Sequence, residues 1–258
     1  VSGGGAPGAA RGDHFSVVAP AYAQWRPTYP EALFATLAAL APSRNLAWDV
    51  GCGSGQASVA LAAHMTQVHA TDVSAAQVAS ATPHPRVHYV AAPSDVSGLA
   101  AHSVSLVTVA QALHWFDVGA FHAEVHRVLV PGGVLAEWSY GLLETPDDTR
   151  VGAVVTAFDA EMGVWWPPER AHVDAGYATL PFPYERLTLP SFAMTASWTY
   201  AQLMGYLGTW SAVSRCRAAT GTDPLAPVGE ALRALLPDDR AIDIRWPLTV
   251  RAGRRPPA

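Results

Sequence analysis

The sequence predicts an α/β chain built on a doubly wound, mostly parallel sheet. Three observations carry that reading. The stretch Leu46–Gln56 passes from a short apolar run into glycines at alternate positions, Gly51, Gly53 and Gly55, and then into a helix-forming run from Ala57. The next apolar run, Val68-His-Ala-Thr, ends on an acid, Asp72. Strand-like and helix-like segments then alternate as far as Ser139, the pattern of parallel strands joined by crossover helices.

Pro30 opens an amphipathic helix that runs to about Ala41. Leu46–Val50 is the first strand and Val68–Asp72 the second. Val73–Ala81 reads as a helix with Ser74 near its start, a residue that caps free N–H groups. Val87–Ala91 is a third strand. Ser103–Gln111 is a fourth, continuing into Ala112-Leu-His114-Trp115-Phe116-Asp117. Val118–Leu129 is a helix stopped by Pro131-Gly-Gly, and Val134–Ser139 is a fifth strand.

From Tyr140 onward prolines and aromatics become more frequent. Thr149–Met162 reads as a helix, Tyr184–Leu189 as a strand, Trp198–Trp210 and Pro227–Leu236 as helices, and Ile242–Val250 as the closing strand. The aromatics here are read mainly as the core of a subdomain, with some lining a pocket. The glycine- and alanine-rich start, residues 1–13, is expected to be disordered, and Gly253–Ala258 to fray.

A strand that turns through glycines into a helix lets backbone approach a ligand closely and aims helix N–H groups at it. An acid at the end of the second strand suits a ribose diol. These features fit a dinucleotide or S-adenosylmethionine. A dinucleotide turn wants G-x-G-x-x-G, with glycine where Gln56 stands. Asp49, just before the turn, repels a pyrophosphate and welcomes an ammonium or sulfonium. An NAD-dependent oxidoreductase and a non-catalytic cofactor-binding protein remain as alternatives, since fold does not fix function.

Composition excludes other classes. The net charge of −5 argues against a nucleic-acid binder. All 16 basic residues are arginine, which rules out Schiff-base chemistry and a P-loop lysine. Two cysteines, Cys52 and Cys216, are too few for a disulfide framework or a zinc cluster. No apolar run reaches membrane-spanning length, and no signal peptide is recognisable, so the expected location is cytoplasmic, without a membrane partner. His122-Ala-Glu124-Val-His126 lacks the metalloprotease order, and no metal is expected. The oligomeric state is not readable.

The run Asp49-x-Gly51-x-Gly53-x-Gly55 with Asp72 resembles the cofactor motif of class I S-adenosylmethionine-dependent methyltransferases. Val109–Asp117, Arg127–Gly133 and the N-terminal Tyr22…Arg26-Pro…Tyr29-Pro are similar to the type 11 group that includes trans-aconitate methyltransferase-like proteins. The resemblance implies a Rossmann-like methyltransferase fold, seven strands with the last antiparallel, and a helical cap between the fifth and sixth. It divides the chain into a cofactor-binding core with an N-terminal lid over 14–140, a cap insertion over 141–183, and strands and helices over 184–258 that complete sheet and cap.

The resemblance further implies that Asp49, Gly51 and the turn through Cys52, Gly53 and Gly55 hold the methionine part of S-adenosylmethionine. Asp72 would take the ribose hydroxyls, Ala92–Ser94 would flank the adenine, and Gln111 would lie near the methionine. Ser105 and Pro93-Ser94 depart from the residues common in the group. Tyr22 and Arg26 are assigned to a lid, with Arg26 reaching a carboxylate and ring faces stabilising a sulfonium. The implied activity is methyl transfer to a small organic acceptor, a carboxylic acid or a phenol or alcohol. His114 is the candidate base or substrate hydrogen bond.

Overall fold

The structure, a computed structural model, describes residues 25–238 and 240–257. The predicted disordered segment and Tyr22 lie outside that range. The elements are α1 (Glu31–Leu40), β1 (Leu46–Val50), α2 (Gln56–Ala62), β2 (Gln67–Asp72), α3 (Ala75–Ala79), β3 (Val87–Ala91), β4 (Val104–Ala110), α4 (Val118–Val128) and β5 (Leu129–Tyr140). They continue as α5 (Thr149–Glu161), α6 (Arg170–Asp174), β6 (Phe192–Trp198), α7 (Tyr200–Gly208), α8 (Ser211–Thr220), α9 (Leu225–Leu235) and β7 (Ile242–Arg254).

The seven strands form one sheet in the order β3-β2-β1-β4-β5-β7-β6. Pairings are parallel except those of β7, which runs antiparallel to both β5 and β6. The chain steps outward from β1 to β2 and β3, then returns to place β4 on the other side of β1. Ligands bind beyond the carboxyl ends of strands at such a reversal.

The period of two in each strand sends alternate side chains to opposite faces. Leu106, Val134, Ala136 and Trp138 pack with Leu33, Phe34 and Leu37 of α1 and Leu61 of α2. Trp48, Val107 and Leu135 pack on the other face with Phe121 and Val125 of α4. Burying each such large side chain contributes about 1.5–3 kcal/mol. A third core joins α5, α7, α8 and α9 to β6 and β7 around Phe158, Leu203, Tyr206 and Trp246.

The second half departs from the sequence reading in several places. Tyr184–Leu189 is not a strand; it keeps only the Arg186–Gly253 bridge and a hydrogen bond from Leu187 N–H to the Ala252 carbonyl. Pro183 and Pro190 flank it and restrict a ladder. The sixth strand is Phe192–Trp198, weak in β-branched residues but with Phe192, Met194 and Trp198 buried. The helix expected from Trp198 begins at Tyr200, behind a Thr199–Gln202 capping box. Ser211–Thr220 is a further helix with little amphipathic signal. The chain does not fray at Gly253: β7 runs to Arg254, and the Arg255 N–H donates to the Gly133 carbonyl. Pro131-Gly-Gly belongs to the start of β5, where this pairing forms.

Candidate active site

Gly51, Gly53 and Gly55 all adopt left-handed backbone, with φ of +67°, +54° and +88°. This is the conformation for which glycine alone has no steric penalty. A Cβ at Gly51 would stand 2.6 Å from the Ala112 Cβ and 3.1 Å from the Phe116 ring. One at Gly55 would run into the Tyr89 hydroxyl, while one at Gly53 would meet nothing within 4 Å. Gly51 thus brings β1 against the end of β4, and Gly53 faces open space.

Asp72 fastens the turn from the next strand. Its Oδ2 accepts from the Gly53 N–H at 2.9 Å and its Oδ1 from the Ser74 N–H at 2.8 Å. Each oxygen keeps a lone pair for a second donor. A ribose diol could use them, and charge-assisted bonds contribute roughly 1.5–3 kcal/mol each. Asp72→Ala is therefore expected to weaken S-adenosylhomocysteine at least about tenfold in a calorimetric titration, with the protein still folded. Unchanged affinity would place the ribose elsewhere.

Asp49 requires a correction. It was expected beside the methionine part, yet it is fully buried and does not line the cavity. Its Oδ2 accepts from Ser58 at 2.5 Å and its Oδ1 from Thr108 at 2.8 Å, so it ties β1 to α2 and β4 beneath the turn. Burial outweighs those two hydrogen bonds and raises its pKa to about 6, with a further push from Asp72. The folded protein therefore holds this proton more tightly than the unfolded chain. The stability this confers is full below the unfolded value near 3.8 and is lost as pH rises through about 6. Relative to wild type, Asp49→Asn should gain on the order of 3 kcal/mol in denaturation between about pH 4 and pH 7. A pH-independent difference would contradict this.

Above the turn lies a cavity of about 360 Å³. Its floor is Gly51–Ser54, and Asp72–Ser74 and Ala92–Asp95 form one wall. Gln111, Ala112 and Trp115–Asp117 form another wall, and Arg26, Pro27, Tyr29 and Tyr140 close the far end. Of the predicted residues, Gly51, Cys52, Gly53, Asp72, Ser94, Gln111 and Arg26 meet here; Gly55 supports the turn from below, as the left-handed residue before α2. Burial, with Asp49 and Asp72 nearby, pushes the Cys52 thiol up and keeps it neutral.

Gln111 is held more firmly than sequence implied. It sits at the end of β4 with φ +57°, and its side-chain amide pairs with the Tyr140 backbone, accepting from N–H at 2.8 Å and donating to C=O at 3.1 Å. It thereby extends the β4–β5 ladder by a side chain. The N-terminal strap is tied down likewise. Gln56 donates to the Pro27 carbonyl at 3.1 Å, Arg26 donates to the Tyr140 hydroxyl at 2.9 Å, and Trp25 packs on Gly205 of α7.

His114 opens on a second cavity, of about 120 Å³, that shares Arg26, Gln111, Trp115 and Tyr140 with the first. The 3₁₀ turn Leu113–Trp115 places His114 there, opposite Trp166 and Arg170 from the segment after α5, and Tyr206 and Trp210 from α7 and its end. Arg170 lies over the Trp166 ring at 4.1 Å. Burial, then the charges of His172 and Arg170, pulls the His114 pKa down to about 4, so the imidazole is neutral at physiological pH. Cap aromatics were expected as a class but not these particular ones, because they converge from separate elements.

The His122–His126 pair does not face a common point. His122 hydrogen-bonds Glu137 at 2.8 Å, while His126 turns to the Tyr184 hydroxyl. Among the described residues no group of side chains is arranged to hold a metal ion.

Known proteins resemble this chain in sequence and in fold. The family described as "Methyltransferase domain" matches residues 48–136. A Dictyostelium discoideum protein provisionally named a methyltransferase is 30% identical over 243 residues, covering 92% of each chain. A solved structure from Anaeromyxobacter dehalogenans, provisionally described as a type II methyltransferase, superposes with a TM-score of 0.84 at 47% identity, over 90% of this chain and 99% of that one. The [4+2]-cyclase SpnF shares the fold alone, at 16% identity and a TM-score of 0.50 over 96% of each chain.

Proposed function

The chain belongs to the class I S-adenosylmethionine-dependent methyltransferases, and we propose that it methylates an oxygen of a small organic acceptor held in the cavity beside His114. The observation that carries this reading is that the two cavities share Arg26, Gln111, Trp115 and Tyr140 in their linings. The first cavity fits the cofactor: a glycine floor with open space at Gly53, a carboxylate with spare lone pairs at Asp72, and a volume in the range of small-molecule sites. Bound there, S-adenosylmethionine supplies a methyl group on a sulfonium.

The second cavity supports a carboxylic acid or phenol, in keeping with the trans-aconitate methyltransferase-like resemblance. Arg26 and Arg170 bring positive charge to its wall, Arg170 while paired with Asp174 at 2.7 Å and Asp159 at 3.5 Å, and Trp166 and Trp210 offer ring faces to an apolar body. Its size and its enclosure by the cap favour a small molecule over a polymer, and the net charge of −5 fits the absence of a nucleic-acid partner. Among the described residues no helix is long and apolar enough to cross a membrane. The chain's own contribution is to hold the two reactants in line and exclude water, which supplies most of the acceleration such a displacement needs.

We retain the division into a core with lid over 14–140, a cap over 141–183 and a completing segment over 184–258. The lid reading predicts slower hydrogen exchange over Trp25–Tyr29 when S-adenosylhomocysteine is added. Equal exchange with and without it would make the strap a fixed packing element. The acceptor reading is tested by incubating the protein with labelled S-adenosylmethionine and a panel of small acids, phenols and amines, detecting products by mass. Methyl esters or ethers are expected, and transfer confined to amines would overturn it.

A further inference from the structure

We propose that Tyr177 is a positioning residue whose hydroxyl donates to Nδ1 of His114 and fixes that imidazole with its proton on Nε2, as a hydrogen-bond donor to the acceptor. Tyr177 is fully buried, and its hydroxyl lies 3.2 Å from His114 Nδ1. A tyrosine hydroxyl is a donor as well as an acceptor. The hydroxyl proton must still be satisfied, because an unpaired buried donor is costly. Among the described residues its hydrogen-bond acceptor is Nδ1 of His114. A neutral imidazole that accepts at Nδ1 carries its proton at Nε2. Nε2 has no protein partner among the described residues and is not among the buried unsatisfied atoms, so it is reachable from the cavity that His114 lines.

Tyr177 is well placed to impose this. Its backbone is left-handed, at φ +61°, its N–H donates to the His172 carbonyl at 2.8 Å, and its carbonyl accepts from Arg251 at 2.7 Å. Its ring lies 6.1 Å from the imidazole, which leans on Trp115 at 4.8 Å. The charged and titratable neighbours of His114, Arg170 and His172, leave this tautomer neutral.

The consequence bears on the substrate class and rests on the acceptor reading above. An Nε2–H donor cannot remove a proton from the attacking oxygen, but it can orient one that is already ionised. A carboxylate has lost its proton far below neutral pH, whereas a phenol titrates near about 10. As the carboxylate oxygen bonds to the methyl carbon, the carbon–sulfur bond breaks with its electron pair going to sulfur, and no proton moves. The site is therefore built for carboxylic acids ahead of phenols and alcohols.

The test is a two-bond proton–nitrogen correlation spectrum of full-length protein labelled with ¹⁵N-histidine, with His114 assigned by its disappearance in His114→Gln. The expected spectrum has a proton on Nε2 and none on Nδ1. Tyr177→Phe should give a mixture of tautomers and lower kcat/KM for an acid acceptor about three- to tenfold, the loss of one hydrogen bond. His114→Gln, whose amide can donate but not act as a base, should retain several-fold more activity than His114→Ala. A proton on Nδ1 of the wild-type ring overturns the proposal even if Tyr177→Phe does not fold. So does a folded Tyr177→Phe protein whose tautomer is unchanged. Methylation confined to amines, with the spectrum as expected, would instead overturn the acceptor reading and leave the tautomer assignment standing.

Discussion

Arg251→Met should destabilise the protein by about 3–5 kcal/mol, the cost of leaving a buried charge without its partner. Arg251 and Glu137 are both buried and meet at 2.6 Å across the β5–β7 pairing. The same guanidinium donates to the carbonyls of Tyr177, Leu180 and Pro181, at 2.7, 2.9 and 3.0 Å. Methionine fills the volume but satisfies none of these. His122 remains to Glu137 at 2.8 Å and offsets part of the loss. Denaturant titration of variant and wild type measures the difference, and a cost under about 1 kcal/mol would show that the network contributes little. Because the guanidinium anchors the segment from Tyr177 to Pro181, the variant should also lose activity through His114, beyond what its folded fraction accounts for.

Gly51→Val is expected to do comparable damage at the turn itself. A β-branched residue at φ +67° is strained by roughly 1–2 kcal/mol. Its Cβ would also overlap the Ala112 Cβ, at 2.6 Å, which belongs to the short stretch after β4 and has no flexible end to move. Overpacking of this kind costs about 1–3 kcal/mol more. The combined penalty, roughly 2–5 kcal/mol, appears as lower stability or, where the turn relaxes, as lost affinity for S-adenosylhomocysteine. Gly53→Ala serves as the control. It bears the backbone strain but meets no neighbour, so its loss of stability should be clearly smaller. Equal stability losses at the two positions would mean that the contact with Ala112 is unimportant.

The first half of the fold was legible because its signals are local. Glycines at alternate positions can only be a turn, and the strands on either side carry short apolar runs that a parallel sheet buries. Asp72 was legible for the same reason, being fixed by its place at a strand end. Asp49 was half legible. Its position before the turn was evident, but which way it faces depends on strand alternation, which sets it with Ala47 toward α2 and away from the ligand side.

The remainder depends on contacts between residues far apart in the chain. Gln111 looked like a cofactor contact, and nothing in its neighbours announces a left-handed backbone or an amide committed to Tyr140. Tyr177 was one aromatic among many, and its meeting with His114 spans 63 positions. Strand β6 carries alanine, methionine and serine where β-branched residues would have marked it, and its pairing with β7 decides its state. His122 carries no local mark of its partner in the fold, because Glu137 lies on the next strand.

The central claim is that one cavity holds the cofactor and its neighbour the methyl acceptor. A crystal structure of the protein with S-adenosylhomocysteine tests it most directly. The account predicts the ribose hydroxyls on Asp72, the nucleoside along Ala92–Ser94, and the sulfur directed past Gln111 toward the cavity lined by His114, Trp166 and Arg170. A nucleoside bound away from Asp72, or a sulfur turned from that second cavity, would contradict it.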